Sequence, residues 1–114
     1  MVSQLNRNVA AEGSNVLQEA SQMALTRGSF GGYEFDRMVV LFSMIDGQRE
    51  IQCAVSTSAM DDLEKPVRTK ADEREAQFMR LRDQIEARAA SKFLAREFEG
   101  TPPGIILRSI DFRK

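Results

Sequence analysis

The chain has 114 residues, with 16 basic and 17 acidic side chains, no histidine and one cysteine. This length suits one domain, and a net charge of −1 excludes a global field that would steer the chain onto nucleic acid or an anionic membrane. The lack of histidine removes the usual general base and transition-metal ligand, and a lone cysteine excludes an internal disulfide. Because no apolar run approaches the ~20 residues of a membrane span and no secretory pattern opens the chain, we expect a soluble, cytoplasmic protein.

The N-terminal segment, residues 1–28, is polar and low in aromatic side chains, and two structures are open for it. Ser14 could cap a short helix that docks on the rest of the protein, and the alternative is a partly disordered tail. The glycine-bearing segment 28–33 lacks the spacing of a phosphate-binding loop and is predicted as a linker and turn. We therefore divide the chain into an extension, 1–28, and a single α+β domain, 29–114.

The middle of the chain predicts a β-hairpin. Asp46 and Gly47 favour a two-residue type I′ turn, and the runs on either side are rich in valine, isoleucine and phenylalanine. With those two residues as the loop, Phe42 lies opposite Ile51. A three-residue loop with Gly47 in a bulge instead sets Leu41 opposite Ile51. We favour the two-residue loop.

Alternation along the hairpin assigns its side chains to two faces. The first face is fully apolar and consists of Met38, Val40, Phe42, Ile51, Cys53 and Val55. The second face is half apolar, because its first strand carries Val39, Leu41 and Ile45 while its second strand is mostly polar. One covering helix cannot bury both faces, so these three residues are the predicted protein interface.

Helical patterns follow the hairpin. Ser58 is predicted to cap a short helix, and Thr69 to cap a long helix that runs to about Phe98. A glycine and proline-rich loop then leads to a last strand over 105–110. The buried stripe of the long helix is predicted from spacings of three and four, at Phe78, Leu81, Ile85, Ala89 and Phe93. The fold class is α+β, with a small antiparallel sheet of the hairpin, the last strand and a short first strand near 33–37.

A basic row lies along the long helix, and two interpretations of it are open. Its cations stand at multiples of four residues and are Arg80, Arg88, Lys92 and Arg96. The row could contact anions or nucleic acid, or it could be the solvated side of an amphipathic helix. Cys53 lies on the apolar face and is predicted as a packing residue. We identify no catalytic, cofactor-binding or metal-binding residue.

Short motifs along the domain resemble a small bacterial family known as domain of unknown function 1488. The positions that carry the resemblance are Tyr33, Phe35, Asp36, Val40, Phe42, Asp46, Gly47, the run 53–56, Ala59, Ile85 and the run 89–93. The similarity covers roughly residues 30–112. It implies a compact α+β domain with an antiparallel sheet and a packed helix, and no established activity, cofactor or catalytic residue.

These observations favour a non-enzymatic accessory or protein-interaction domain. The expected partner is another protein or a second copy of the chain, as a homodimer, and neither a membrane nor a cofactor is expected. The alternative is a nucleic-acid-associated domain that uses the basic row.

Overall fold

The computed structural model describes residues 25–65 and 69–113, which form one sheet with two helices. The strands are β1 (Thr26–Glu34), β2 (Val39–Asp46), β3 (Arg49–Ser56) and β4 (Ile105–Leu107). The helices are α1 (Thr57–Glu64) and α2 (Arg74–Leu94), and 3-10 turns lie at Ala71–Glu73 and Ser109–Phe112. The predicted α+β class is confirmed. The predictions for residues 1–24 lie outside the described residues.

The sheet is mixed, in the order β1, β2, β3, β4. The first three strands are antiparallel neighbours, whereas β4 runs parallel to β3. An antiparallel last strand was therefore the wrong expectation. Because α1 and α2 carry the chain back along the sheet before β4 begins, β4 starts from the same end as β3, which is the crossover that parallel pairing requires.

The glycine-bearing segment 28–33, expected as a linker and turn, lies inside β1. The strand begins at Thr26 and pairs with β2 through two irregularities, one on each side of Phe30. Gly28 passes so close to Ser43 that a Cβ there would collide with the serine hydroxyl and backbone. The glycine therefore serves a close approach of two strands, a use that the turn interpretation overlooked.

The hairpin register differs from both expected registers. Asp46 pairs with Arg49, so the two-residue loop is Gly47 and Gln48, and Phe42 lies opposite Cys53. Of the two loop residues only Gly47 has a positive φ, 63°, as in a type II′ turn with glycine first. The Asp46 carboxylate accepts a hydrogen bond from Arg49 at 3.0 Å, which stabilises this pairing. The shift relative to the favoured register is two residues, so the predicted faces are unchanged.

The core lies between the apolar face of the sheet and both helices. Val40, Phe42, Met44, Cys53 and Val55 are buried there. They face the predicted stripe of α2, in which Phe78, Leu81, Ile85 and Ala89 are buried and Phe93 is partly buried. The ring of Phe78 lies 5.2 Å from that of Phe42 and 5.5 Å from that of Phe30, centroid to centroid. The predicted core face is therefore confirmed except at Met38, which precedes β2 and is 52% exposed.

Both helices begin at residues other than those expected. Ser56 caps α1, since its hydroxyl accepts the amide of Ala59 at 3.0 Å, whereas Ser58 lies inside the helix. Before α2, the cap of the 3-10 turn is Lys70 rather than Thr69, and the Lys70 amide donates to the Glu73 carboxylate at 2.9 Å. The extra turn delays the start of α2 to Arg74.

The long helix ends at Leu94, four residues before the expected end. The amide of Glu97 donates to the Lys92 carbonyl and that of Arg96 to the Phe93 carbonyl, both at 3.0 Å. This pair of bonds is a Schellman motif, in which the residue after the cap is left-handed. Arg96 holds that position with φ of +59°, where glycine was expected only later, at Gly100.

Candidate functional site

The second face of the sheet lies opposite α1 and α2. Val39, Leu41 and Ile45, the predicted interface residues, project there and are outside the core cluster that contains the buried residues of both helices. Pairing sets Gly32, Leu41, Ala54 and Ile106 side by side across all four strands. Leu41 and Ile106 are only partly buried. The described part of the chain thus has an apolar row across this face with no described helix on it.

The three predicted interface residues lie in different surroundings. Val39 is only 8% exposed and contributes to a pocket at one end of the sheet. Leu41 lines a second hollow of about 290 Å³ beneath the loop that contains Gly100 and Pro102. Ile45 is half-buried near the hairpin loop, opposite Glu50. Val39 and Leu41 therefore line two adjoining hollows that share Arg37 and Ile106, whereas neither of these hollows includes Ile45.

We refer to the hollow of about 480 Å³ beside Val39 as the end pocket. Val39 and Ile106 form its apolar floor, and Ile110, which is 67% exposed, also lines it. Its walls carry three arginines, Arg37, Arg108 and Arg113. Three serines, Ser56, Ser58 and Ser109, add hydroxyl groups. These segments meet because β2 begins, and the parallel strands β3 and β4 end, at the same edge of the sheet.

The charged side chains that line the end pocket are all arginines, and two of the three are ion-paired. Arg37 contacts Glu34 at 2.6 Å, and Arg108 makes two hydrogen bonds to Glu99 at 2.8 and 2.9 Å. The hydrogen bonds from Arg108 hold the pKa of the Glu99 carboxyl below its usual range. Among the described residues Arg113 has no ion pair, and no acidic side chain lines the pocket. The pocket lining therefore contains three guanidinium groups, two of which are ion-paired with glutamates that do not line the pocket.

Exposed apolar side chains surround this end of the molecule. Phe35 is 71% exposed, Met38 52% and Ile110 67%. Met38 adopts a left-handed backbone, φ of +55°, and is fixed by two hydrogen bonds, from its amide to the Phe35 carbonyl and from the Thr57 amide to its own carbonyl. A non-glycine residue held in this conformation carries a backbone cost, which is a recurrent feature of functional loops.

The predicted basic row is largely engaged within the fold. Arg80 contacts Glu64 at 2.7 Å, and Arg88 donates to the backbone carbonyl of Asp111. Lys92 is buried, and its ammonium lies 3.1 Å from the Asp111 carboxylate and 3.0 Å from the Ile106 carbonyl. Of the four cations, only Arg96 has no side-chain hydrogen bond or ion pair with the described residues.

A buried polar network that the sequence analysis missed joins the two helices. Arg74 donates to the Asp61 carboxylate and to the Gln77 side-chain oxygen, both at 2.7 Å. Gln77 donates in turn to Asp61 at 2.9 Å. Burial tends to raise the pKa of Asp61, but hydrogen bonds from Arg74 and Gln77 outweigh it and lower the pKa. A glutamine within a predicted apolar helix surface was the only sequence signal for this network.

A known protein family matches most of the residues that form the sheet and its helices. A family model described as "Protein of unknown function (DUF1488)" matches residues 31–106, from within β1 to β4. The chain belongs to this family. The resemblance derived from the sequence motifs is therefore confirmed. The match ends at Ile106, so Arg108, Ile110 and Arg113 of the end pocket lie beyond it.

One solved structure supports the same fold. It is the crystal structure of a protein of unknown function from the DUF1488 family of Shewanella loihica PV-4, with a TM-score of 0.66 and 13% sequence identity. The similarity covers 75% of this chain and 94% of that one. No curated protein matches the chain. Within the described residues, no helix has the length and apolar character to cross a membrane.

Proposed function

We propose that this chain is a non-enzymatic, cytosolic protein-interaction domain whose second sheet face binds a segment of another protein. The observation that carries the proposal is the placement of both described helices on one side of the sheet. The opposite side retains the row of Leu41, Ala54 and Ile106 across three strands. A sheet face of this kind is a usual place for a partner to bury apolar side chains.

The surroundings of the row favour a partner with both apolar and acidic side chains. Exposed phenylalanine, methionine and arginine are the residue types enriched in the centres of protein interfaces, and Phe35, Met38 and Arg37 occupy adjacent positions at one end of the face. The arginines of the end pocket complement carboxylates on a partner. Charge complementarity thus favours a different protein over a second copy of this chain.

The chemistry of the chain supports binding rather than catalysis. Histidine is absent from the sequence, and the Cys53 thiol is buried with its pKa raised to about 12, chiefly by desolvation. The nucleic-acid alternative draws little support from the basic row, since Arg80, Arg88 and Lys92 already contact acidic residues or carbonyls of the fold.

The proposal is tested by photo-crosslinking in the native cell. A photoreactive phenylalanine analogue replaces Leu41 or Ile45 on the second face, and the matched control replaces Leu94, an exposed apolar residue of α2 that is 53% accessible. We expect a covalent adduct with one other protein from positions 41 and 45 and none with that protein from position 94. The adduct should be lost when Ile106→Asp is added, provided that thermal unfolding shows that this variant is folded.

Two results would contradict the proposal. An adduct of twice the chain mass from position 41, together with a dimer in light scattering, would make a second copy the occupant. Equal adducts from positions 41 and 94 would show that no particular face is used.

A further inference from the structure

We infer that the end pocket binds the C-terminal residue of a partner polypeptide, with its carboxylate at Arg113 and its apolar side chain on Val39 and Ile106. This assignment rests on the proposed function and specifies the partner's chemistry. The end pocket adjoins the apolar row around Leu41, because its lining shares Arg37 and Ile106 with the hollow beside Leu41, whereas Ser109 and Arg113 line the end pocket alone.

The arginines supply the anion-binding part of the site. A guanidinium donates through a planar fork that matches a carboxylate, and such charge-assisted bonds are about twice as strong as neutral ones. Glu34 and Glu99 hold Arg37 and Arg108, so these two side chains are ordered before a ligand arrives. Among residues 25–65 and 69–113, Arg113 has no side-chain hydrogen bond or ion pair, so none of these residues takes up its guanidinium donors.

The floor and the hydroxyl groups supply the rest of the site. A C-terminal residue presents a carboxylate, an apolar side chain and a peptide group within a few ångströms of one another. The pocket offers a partner for each: guanidinium groups, the aliphatic floor, and the hydroxyls of Ser58 and Ser109 for the peptide group. Its volume of about 480 Å³ falls within the roughly 300–1,000 Å³ of ordinary ligand pockets.

The mixed lining selects between anions. An aspartate or glutamate side chain would bring the carboxylate but leave the floor of Val39 and Ile106 unfilled. Inorganic phosphate would use the arginines and likewise leave the aliphatic floor in contact with water. Capture of a C-terminal carboxylate by a preformed cluster of donors is a known mode of peptide recognition.

The test is an NMR titration of the purified, isotope-labelled full chain with N-acetylleucine, which carries the three groups of a C-terminal residue. We expect saturable shifts of the methyl signals of Val39, Ile106 and Ile110. N-acetylleucinamide lacks the charge, and hexanoate lacks the peptide group. By the same methyl shifts, each should bind with an affinity at least tenfold lower. Inorganic phosphate should leave the methyl signals unmoved.

Charge reversal at one arginine supplies the matched comparison. Arg113→Glu should weaken N-acetylleucine binding by about tenfold or more, because a charge-assisted bond is replaced by repulsion. Arg96→Glu changes the net charge equally at an exposed arginine outside the pocket, and should leave the affinity unchanged. Both residues are exposed, so both variants should fold, which thermal unfolding checks.

Three results would overturn the inference: no shift with N-acetylleucine, equal shifts with the amide or hexanoate, or equal weakening by Arg113→Glu and Arg96→Glu. The outcome is separable from that of the proposed function. Crosslinks from position 41 without N-acetylleucine binding would remove the pocket assignment and leave the interaction surface. N-acetylleucine binding without crosslinks would remove the interaction surface around Leu41 and leave the pocket assignment.

Discussion

Arg96 occupies a backbone conformation that suits glycine. Its φ of +59° places the backbone in the left-handed region, which costs a non-glycine residue roughly 1–2 kcal/mol. The guanidinium makes no hydrogen bond or ion pair with another described residue that would offset this cost. We therefore predict that Arg96→Gly raises the free energy of unfolding by about 1 kcal/mol in urea denaturation.

The control for this prediction is Arg96→Ala, which removes the charge but retains the Cβ. Its unfolding free energy should stay within about 0.5 kcal/mol of wild type. Equal stabilisation by alanine and glycine would show that the guanidinium, not the backbone, is the source of the effect.

Cys53 is the one thiol of the chain, and its surroundings determine its reactivity. The side chain is 3% exposed, and desolvation raises its pKa to about 12. Since the thiolate is the reactive form, we predict that the native protein reacts with an aromatic disulfide reagent at pH 8 far more slowly than the urea-unfolded chain, by at least 100-fold. Stoichiometric labelling of the native protein within seconds would show that the hairpin opens readily.

At the scale of elements, one ionic cluster joins α2 to the segment after β4. The Lys92 ammonium lies 3.1 Å from the Asp111 carboxylate, which also accepts the backbone amide of Arg108 at 2.7 Å. Burial tends to raise the pKa of Asp111, but the amide of Arg108 and the ammonium of Lys92 outweigh burial and lower it. The ionised carboxylate therefore stabilises the docking of the last turn on the helix.

This cluster predicts an acid-sensitive part of the stability. Because the folded-state pKa of Asp111 lies below its ordinary 3.8, its contribution is full above that value and is lost as the pH falls through the lower folded-state pKa. Asp111→Asn should lower the free energy of unfolding by about 1–3 kcal/mol at pH 7, and the difference from wild type should shrink below about pH 4. The measurement is urea denaturation between pH 7 and pH 2.5.

Asp62→Asn is the control, since Asp62 is exposed on α1 and its side chain has no ion pair among the described contacts. It should change the stability little at any pH. A difference between Asp111→Asn and wild type that persists undiminished at pH 2.5 would contradict the ionic explanation.

At the scale of the whole molecule, periodic patterns predicted what depends on side-chain spacing alone. Alternation assigned Val40 and Phe42 to the core, and spacings of three and four identified Phe78 and Ile85 beneath them. The position of the turn was harder to predict, because type I′ and type II′ loops both use a glycine beside a polar residue. They differ in whether the residue before or after the glycine is the second loop residue. The faces were predictable since a shift of two residues leaves them unchanged.

The end pocket could not be predicted, because it is assembled by topology. Arg37, Ser58 and Arg113 come from three distant segments, and only the parallel placement of β4 brings them to one edge of the sheet. The glycines of β1 were misassigned for a related reason. A glycine required by a neighbouring strand has the same sequence signature as a glycine required by a turn.

The parallel pairing of β3 and β4 also has an evolutionary consequence. Two short segments, 56–58 where β3 passes into α1 and 108–110 after β4, are about fifty residues apart in the chain yet open onto the same hollow. Neither contributes to the buried contacts between α2 and the sheet. Substitutions at Ser58 or Ser109, unlike those at the helix cap Ser56, can therefore change the lining of the hollow while the scaffold persists, so that one architecture can carry different linings at this end of the sheet.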